Sequence, residues 1–199
     1  MSVVLSFCGP DFFIIAGDNR KTKISNGVSS VVDENCQKVL RLNQKVAVGF
    51  TGDANAAEAI QAELKMYNLE NLTMERIVRI VSNKVKKIDS TQSVRLNIII
   101  GGKNKSNYYR AFQIDSATLY EPIEFIPSQN GTGRAEYKSL HSFPYGYKEE
   151  NETLKKFKLD SLGFSTTEEL ANAMKDCIKY ISTRDFSVND KVTMVLING

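Results

Sequence analysis

Residues 2–20 read SVVLSFCGPDFFIIAGDNR: a serine, two β-rich runs around Cys8-Gly9-Pro10, and a closing Asp18-Asn19-Arg20. Val3 to Phe7 and Asp11 to Gly17 carry the branched and aromatic residues that favour strands, and the Gly-Pro between them marks a hairpin turn. Two strands this early, before any helical pattern, point to an antiparallel sheet rather than a parallel one. They also raise the question of what Ser2 does ahead of them.

The totals narrow the answer. A chain of 199 residues with 42% hydrophobic and 25% charged residues has the composition of a globular protein with a sizeable core. It has no apolar run near the length of a membrane span and no basic leader of a secretory signal, so a cytoplasmic location is expected. Cys8, Cys36 and Cys177 are three in number and widely spaced, which fits small buried hydrophobes better than a disulfide framework. Net charge is +3, and the basic clusters at 84–87 and 155–158 lack interleaved aromatics, so nucleic acid is not an expected partner. The single histidine, His141, removes a Ser-His-Asp triad and any multi-imidazole metal site. A hydrolase built on this chain needs another base, and neither metal nor cofactor is expected.

Further along, Lys38 to Leu42 and Lys45 to Thr51 alternate apolar and polar residues around a turn at Asn43-Gln44. Asp53 then caps a helix with Ala56, Ala57, Ile60 and Leu64 on one face, and Thr73 opens a second along Ile77, Ile80, Val81, Val85 and Ile88. Strands return at Val94 to Ile100, Tyr108 to Ile114, Leu119-Tyr120 and Glu124 to Ile126. A helix is expected from about residue 134 to Leu140, with His141 at its end. Residues 142–164 are charged and irregular, the pattern of a surface insertion. Ser165-Thr166-Thr167-Glu168 reads as a capping box before a helix over Leu170, Met174, Cys177, Ile178 and Ile181, and Lys191 to Ile197 is the last strand. The expected architecture is one α+β domain over 1–199, a four-layer αββα sandwich of two antiparallel sheets flanked by helix pairs.

The order and spacing of these residues resemble the proteasome β-type subunit, and with it the bacterial proteasome-like peptidases of the N-terminal-nucleophile (Ntn) hydrolase superfamily. Ser2-Val3-Val4 has the form of the family's nucleophile and first strand, and Asp18-Asn19-Arg20 stands 16 residues on, where the family has Asp-x-Arg. Lys38 in Gln37-Lys38-Val39-Leu40 resembles the family's catalytic lysine, reached through a somewhat longer loop. Gly52 follows it by 14 residues, where the family's strand ends in glycine. Late in the chain, Gly131-Thr132-Gly133 and Arg184-Asp185 resemble the family's Gly-Ser-Gly and Arg-Asp. Val188 and Asn189-Asp190 depart from the serine and the glycine pair usual there.

The resemblance implies a serine- or threonine-type endopeptidase. A hydroxyl is a weak nucleophile without a base. An α-amino group, with a pKa of about 7.7–8.0, is partly unprotonated near neutrality, so removal of Met1 would put nucleophile and base on Ser2 itself. Lys38 paired with Asp18 would lower the hydroxyl's pKa, the Gly52 N–H would meet the oxyanion, and Thr132 and Asp185 would support the terminal amine. The bland alternatives remain open: Ser2 a plain terminal residue, Asp18–Lys38 a structural ion pair, Gly52 a turn, Thr132 and Asp185 caps.

The family also implies a peptide or unfolded-protein substrate, held as an added strand near Thr22 and Ala54. Its first specificity pocket would be lined by Lys21, Cys36, Leu40, Phe50, Ala54 and Glu58. A homo-oligomeric ring or barrel is implied, with an ATP-dependent unfoldase as candidate partner. Two rival functions share the fold: a non-catalytic subunit with an assembly or ligand-binding role, and an Ntn amidase acting on a small molecule.

Overall fold

Val4–Cys8 (β1) and Phe12–Asp18 (β2) are buried at every position. A strand with one wet face alternates; one buried throughout has protein on both sides. Leu5, Phe7, Phe12, Ile14 and Ala16 face one core, whereas Val4, Cys8, Phe13 and Ile15 face another. The computed structural model describes residues 2–25, 28–129, 135–161 and 163–199, and the rest of the fold follows from these two faces.

After the hairpin come Lys21–Ser25 (β3), Val28–Asp33 (β4), Val39–Arg41 (β5) and Val46–Gly52 (β6), then the helices Ala54–Lys65 (α1) and Met74–Gln92 (α2). Leu96–Lys103 (β7), Tyr109–Asp115 (β8), Ile123–Phe125 (β9), Ser128–Gln129 (β10), Ala135–Glu136 (β11) and Lys138–Ser142 (β12) follow. Glu150–Lys156 (α3), Thr167–Ser182 (α4) and Val192–Asn198 (β13) complete the chain. One sheet runs β12-β1-β2-β13 and the other β5-β6-β7-β8-β9, antiparallel throughout.

The sheets stack through Val4, Phe13 and Ile15 against Val39, Ala47, Ile99 and Ala111. Their approach is close: a Cβ at Gly101 would lie 2.2 Å from the Phe13 ring, so only glycine fits there. On the outer side of the five-stranded sheet, Val46, Val48, Phe50, Leu96 and Ile98 meet the helical stripe of Ile60, Leu64, Ile77 and Val81. The Asp53 carboxylate caps α1 by accepting from Asn55 N at 2.9 Å and Ala56 N at 3.0 Å. On the outer side of the other sheet, Leu170, Met174, Cys177, Ile178 and Ile181 of α4 meet Leu5, Phe7 and Ile14. The expected αββα sandwich is the observed one.

Three local expectations are corrected. The helix expected before Leu140 is β11 and β12 instead: β12 pairs with β1 from Val4↔Ser142 to Cys8↔Lys138. The open backbone edge of a buried strand needs donors and acceptors, and that demand overrides a short ambiguous pattern. His141 is accordingly on a strand, against Phe7 at 5.2 Å between ring centroids. Leu119 and Tyr120 form no strand; both have positive φ, 52° and 61°, and the buried Tyr120 hydroxyl donates to Val94 O at 2.5 Å. The capping box before α4 is shifted by one residue: Thr166 is the cap, accepting from Glu169 N at 3.1 Å.

The 142–164 segment lies against the sheet rather than away from it. It carries α3, buries Leu159 completely, and packs Phe143, Tyr147, Leu154 and Phe157 on the same core as α4. Cys8 and Cys177 are buried in separate cores, and burial pushes both thiols up to about 12.

Candidate active site

Val3, just ahead of β1, is fixed to Asp18 at the end of β2 by one backbone and one side-chain hydrogen bond. Asp18 N donates to Val3 O at 3.3 Å, and Val3 N donates to Asp18 Oδ1 at 3.0 Å. This docks Ser2, itself 5% exposed, at the end of β1. Alternation along the strand places it on the Val4 side, toward the second sheet.

Asp18 is fully buried, and a buried carboxylate needs partners on both oxygens. Oδ1 takes the Val3 amide, while Oδ2 takes Lys38 Nζ at 2.7 Å and Arg20 N at 3.0 Å. Lys38 comes from the other sheet. It precedes β5, and its carbonyl accepts from Phe50 N at 2.9 Å, which locks it to β6. Burial pushes the Lys38 ammonium below its ordinary 10.5, and the Asp18 charge only partly offsets that. The result is a cation held by one buried carboxylate beside Ser2.

Gly52 ends β6 at φ +104°, and a Cβ there would lie 2.2 Å from Arg95 O. No residue with a side chain fits. The constraint comes from β7, since Asp53 N donates to the same Arg95 carbonyl at 2.8 Å before capping α1.

Ser2, Lys38 and Gly52 line one cleft between the sheets' edge and α1, joined by Lys21, Thr22, Cys36, Phe50, Ala54 and Glu58. Phe50 and Ala57 supply its apolar wall, and the Lys21 ammonium donates to Glu58 Oε1 within it. Burial raises the Cys36 thiol above its ordinary value, so it stays protonated near neutral pH.

The remaining expected site residues fall elsewhere. Leu40 points to the α1–α2 core and is absent from the cleft lining. Asp185 spends its Oδ1 on Ser187 N at 2.8 Å and Ser187 Oγ at 2.5 Å, holding the turn after α4. Thr132 lies outside the described residues.

Sequence reasoning missed a polar strut beside the cleft. Arg20 pairs with Glu34 through Nε at 3.2 Å and Nη2 at 3.1 Å, and its Nη1 donates to Phe186 O at 2.7 Å. Asn189 Nδ2 donates to Glu34 Oε2 at 2.8 Å, while its Oδ1 accepts from Asn19 N at 2.9 Å. Asn189 sits where the resemblance expects glycine, and that departure was the available signal. On the opposite side, Thr51 Oγ1 and Ser142 Oγ are 2.5 Å apart, linking the two sheets next to Gly52.

A two-sheet sandwich with its chain start docked at a buried Asp–Lys pair has the architecture of an N-terminal-nucleophile hydrolase. A family model described as proteasome subunit matches residues 2–134, and the chain belongs to the proteasome subunit family. Among solved structures it is similar to the Anbu (Gly-1) mutant from Hyphomicrobium sp. strain MC1, at 17% identity and a TM-score of 0.69, over 100% of this chain and 82% of that one. It is also similar to Anbu, the ancestral β-subunit, from Yersinia bercovieri, at 15% identity and a TM-score of 0.70, over 98% and 80% of the two chains. At such identities the likeness is one of fold. No curated protein matches the chain. No described helix is long and apolar enough to cross a membrane.

Proposed function

We propose that this chain is a peptidase whose nucleophile is the Ser2 hydroxyl, made competent by removal of Met1. The observation that carries the reading is the buried Asp18 carboxylate, which binds the Val3 amide with one oxygen and the Lys38 ammonium with the other. The same carboxylate thereby holds the residue following the proposed nucleophile and the proposed catalytic cation at once.

In the proposed reaction the Ser2 α-amine takes the hydroxyl proton as Oγ attacks the scissile carbonyl. The Lys38 cation favours the ionising hydroxyl, and Asp18 keeps that cation in place. The negative charge on the substrate oxygen is met by the Gly52 N–H, whose direction is set by the positive φ. The amine then returns the proton to the leaving nitrogen, and water frees the acyl group by the same route in reverse. Thr132 is proposed to support the terminal amine and Asp185 to act at a distance through the turn it holds. Lys21, Thr22, Cys36, Phe50, Ala54 and Glu58 are proposed to hold the acyl side of an extended peptide.

The assembly is proposed to be a homo-oligomeric ring or barrel in the cytoplasm, with an ATP-dependent unfoldase as partner. Family membership supports the ring.

The test is hydrolysis of short fluorogenic peptides by wild-type protein and Ser2→Ala, with the N-terminus read by intact mass. Cleavage by wild type after loss of one methionine, and none by Ser2→Ala, is the expected result. Retained Met1 with no cleavage would leave a non-catalytic subunit, and amide hydrolysis confined to small molecules would leave the amidase reading.

A further inference from the structure

The cleft that holds Lys38 has a neighbour. Ser2, Thr51 and Gly52 line both, so Ser2 stands on the ridge between them. The second cleft extends away from Lys38 over Arg95, Asn97, Asp115, Phe143 and Tyr145. Peptide cleavage at Ser2 divides the substrate into an acyl portion, kept on the serine, and an amine portion that leaves. A nucleophile on a ridge has room for one on each side.

We infer that the second cleft receives the amine portion of the peptide and that Arg95 selects a carboxylate on it. The inference rests on the peptidase reading above. The Arg95 guanidinium lies over the Tyr145 ring, 5.2 Å from its centroid, and has no carboxylate partner among the described residues. The cation–π contact keeps the guanidinium near the ring while leaving its N–H groups to take a bidentate acceptor. Asp115, the acid of this cleft, is held by other donors: Oδ1 accepts from Thr118 N at 3.1 Å and Oδ2 from Gln113 Nε2 at 2.9 Å. Its charge moderates the preference but does not occupy Arg95. Asn97 also lines this cleft and adds a polar side chain to it.

The carboxylate can come from an acidic side chain or from a free C-terminus close behind the cleaved bond. The experiment therefore uses one cleaved peptide in three forms. They are Gln two positions past the bond with an amidated end, Glu there with an amidated end, and Gln there with a free end nearby. Exposed charge pairs of this kind change rates roughly two- to fivefold. The expected result is a kcat/KM for one carboxylate form about two- to fivefold above the amidated Gln form, a ratio near one in Arg95→Gln, and a ratio partly kept in Arg95→Lys. Because the readout is a ratio within each protein, a general loss of activity does not mimic it. Equal rates for all three in the wild type, or a preference that survives in Arg95→Gln, would overturn the inference and leave the peptidase reading standing. A second measurement is independent of turnover. Added to Ser2→Ala, an amidated Glu tripeptide should shift the Arg95 and Tyr145 amide NMR signals more than its Gln twin. Equal shifts would also overturn it.

Discussion

Lys38 Nζ lies 2.7 Å from Asp18 Oδ2 in a pair that joins the two sheets, and the other Asp18 oxygen holds the residue after Ser2. Lys38→Met leaves a buried carboxylate without its counter-ion, which should cost about 3–5 kcal/mol of stability and abolish hydrolysis. The double variant Asp18→Asn/Lys38→Met removes both charges and should regain much of that stability, since apolar or neutral replacements of buried pairs are often tolerated. Activity should not return. Denaturation midpoints set against peptide hydrolysis decide the matter: hydrolysis recovering along with stability would make the pair structural only.

Gly52→Ala tests the strained end of β6. A Cβ 2.2 Å from Arg95 O at φ +104° forces β6 and β7 apart, at a cost of roughly 1–3 kcal/mol for the backbone alone. Misdirecting an oxyanion donor should lower kcat by about 10²–10³. A folded Gly52→Ala protein with unchanged kcat would remove Gly52 from the mechanism.

The pH profile of kcat/KM should be bell-shaped. It should rise as the Ser2 α-amine deprotonates, with a pKa of about 7.7–8.0 in unperturbed form, and fall as the Lys38 ammonium deprotonates below its ordinary 10.5. In Lys38→Arg the second group stays charged, so any remaining activity should lose the alkaline limb. Unfolding gives a different signature. The lowered Lys38 pKa makes its own contribution to stability rise with pH toward 10.5, because there the unfolded chain holds more protons. Cys8 and Cys177, raised from 9.0 to about 12, contribute stability that is lost as pH rises above 9.0. An alkaline limb that persists unchanged in Lys38→Arg would assign the loss to unfolding.

His141 sets an acid limit on stability. Burial lowers its pKa from 6.5 to about 4, and neither ring nitrogen meets a partner among the described residues. The neighbouring Leu140 backbone opposes the shift without meeting hydrogen-bond geometry. Between those values the unfolded chain binds the proton and the folded chain does not, so stability falls as pH drops from 6.5 toward 4. The full window is worth roughly 3 kcal/mol. Thermal unfolding from pH 7 to 4 should show a shallower loss in His141→Leu than in the wild type. Parallel curves would contradict this account of His141.

The hairpin, the two helices after Asp53 and the final helix were legible because each has a clear period and a punctuating signal: Gly-Pro, Asp53, Thr73 and, one residue early, the Ser165–Glu168 box. Strand β12 was not, since it is short and acquires its identity from the open edge of β1, 134 residues away between Ser6 and Leu140. The packed segment around α3 was hidden for a similar reason. Its aromatic residues, Phe143, Tyr147 and Phe157, are spaced irregularly along the chain and become one surface only against α4 and the sheet. At the site, Ser2, Asp18, Lys38 and Gly52 were nameable through their match in order and spacing to the family the chain resembles. Leu40 shares its sheet face with Phe50 but pairs with Val48, one pleat further along β6, so its side chain packs under the helices and not in the cleft.

The sequence by itself determined the hairpin and the helical stripes, because those follow from local periodicity and turn chemistry, while Ser2, Asp18, Lys38 and Gly52 were named through the family resemblance. Only the tertiary structure decided that Asp18 would grip Val3 and Lys38 together, that Arg95 would lie over Tyr145 with no carboxylate partner among the described residues, and that Asp185 would be spent on its own turn. Each of those depends on which strand edges meet and which charges are removed from water, and both are settled when the sheets stack.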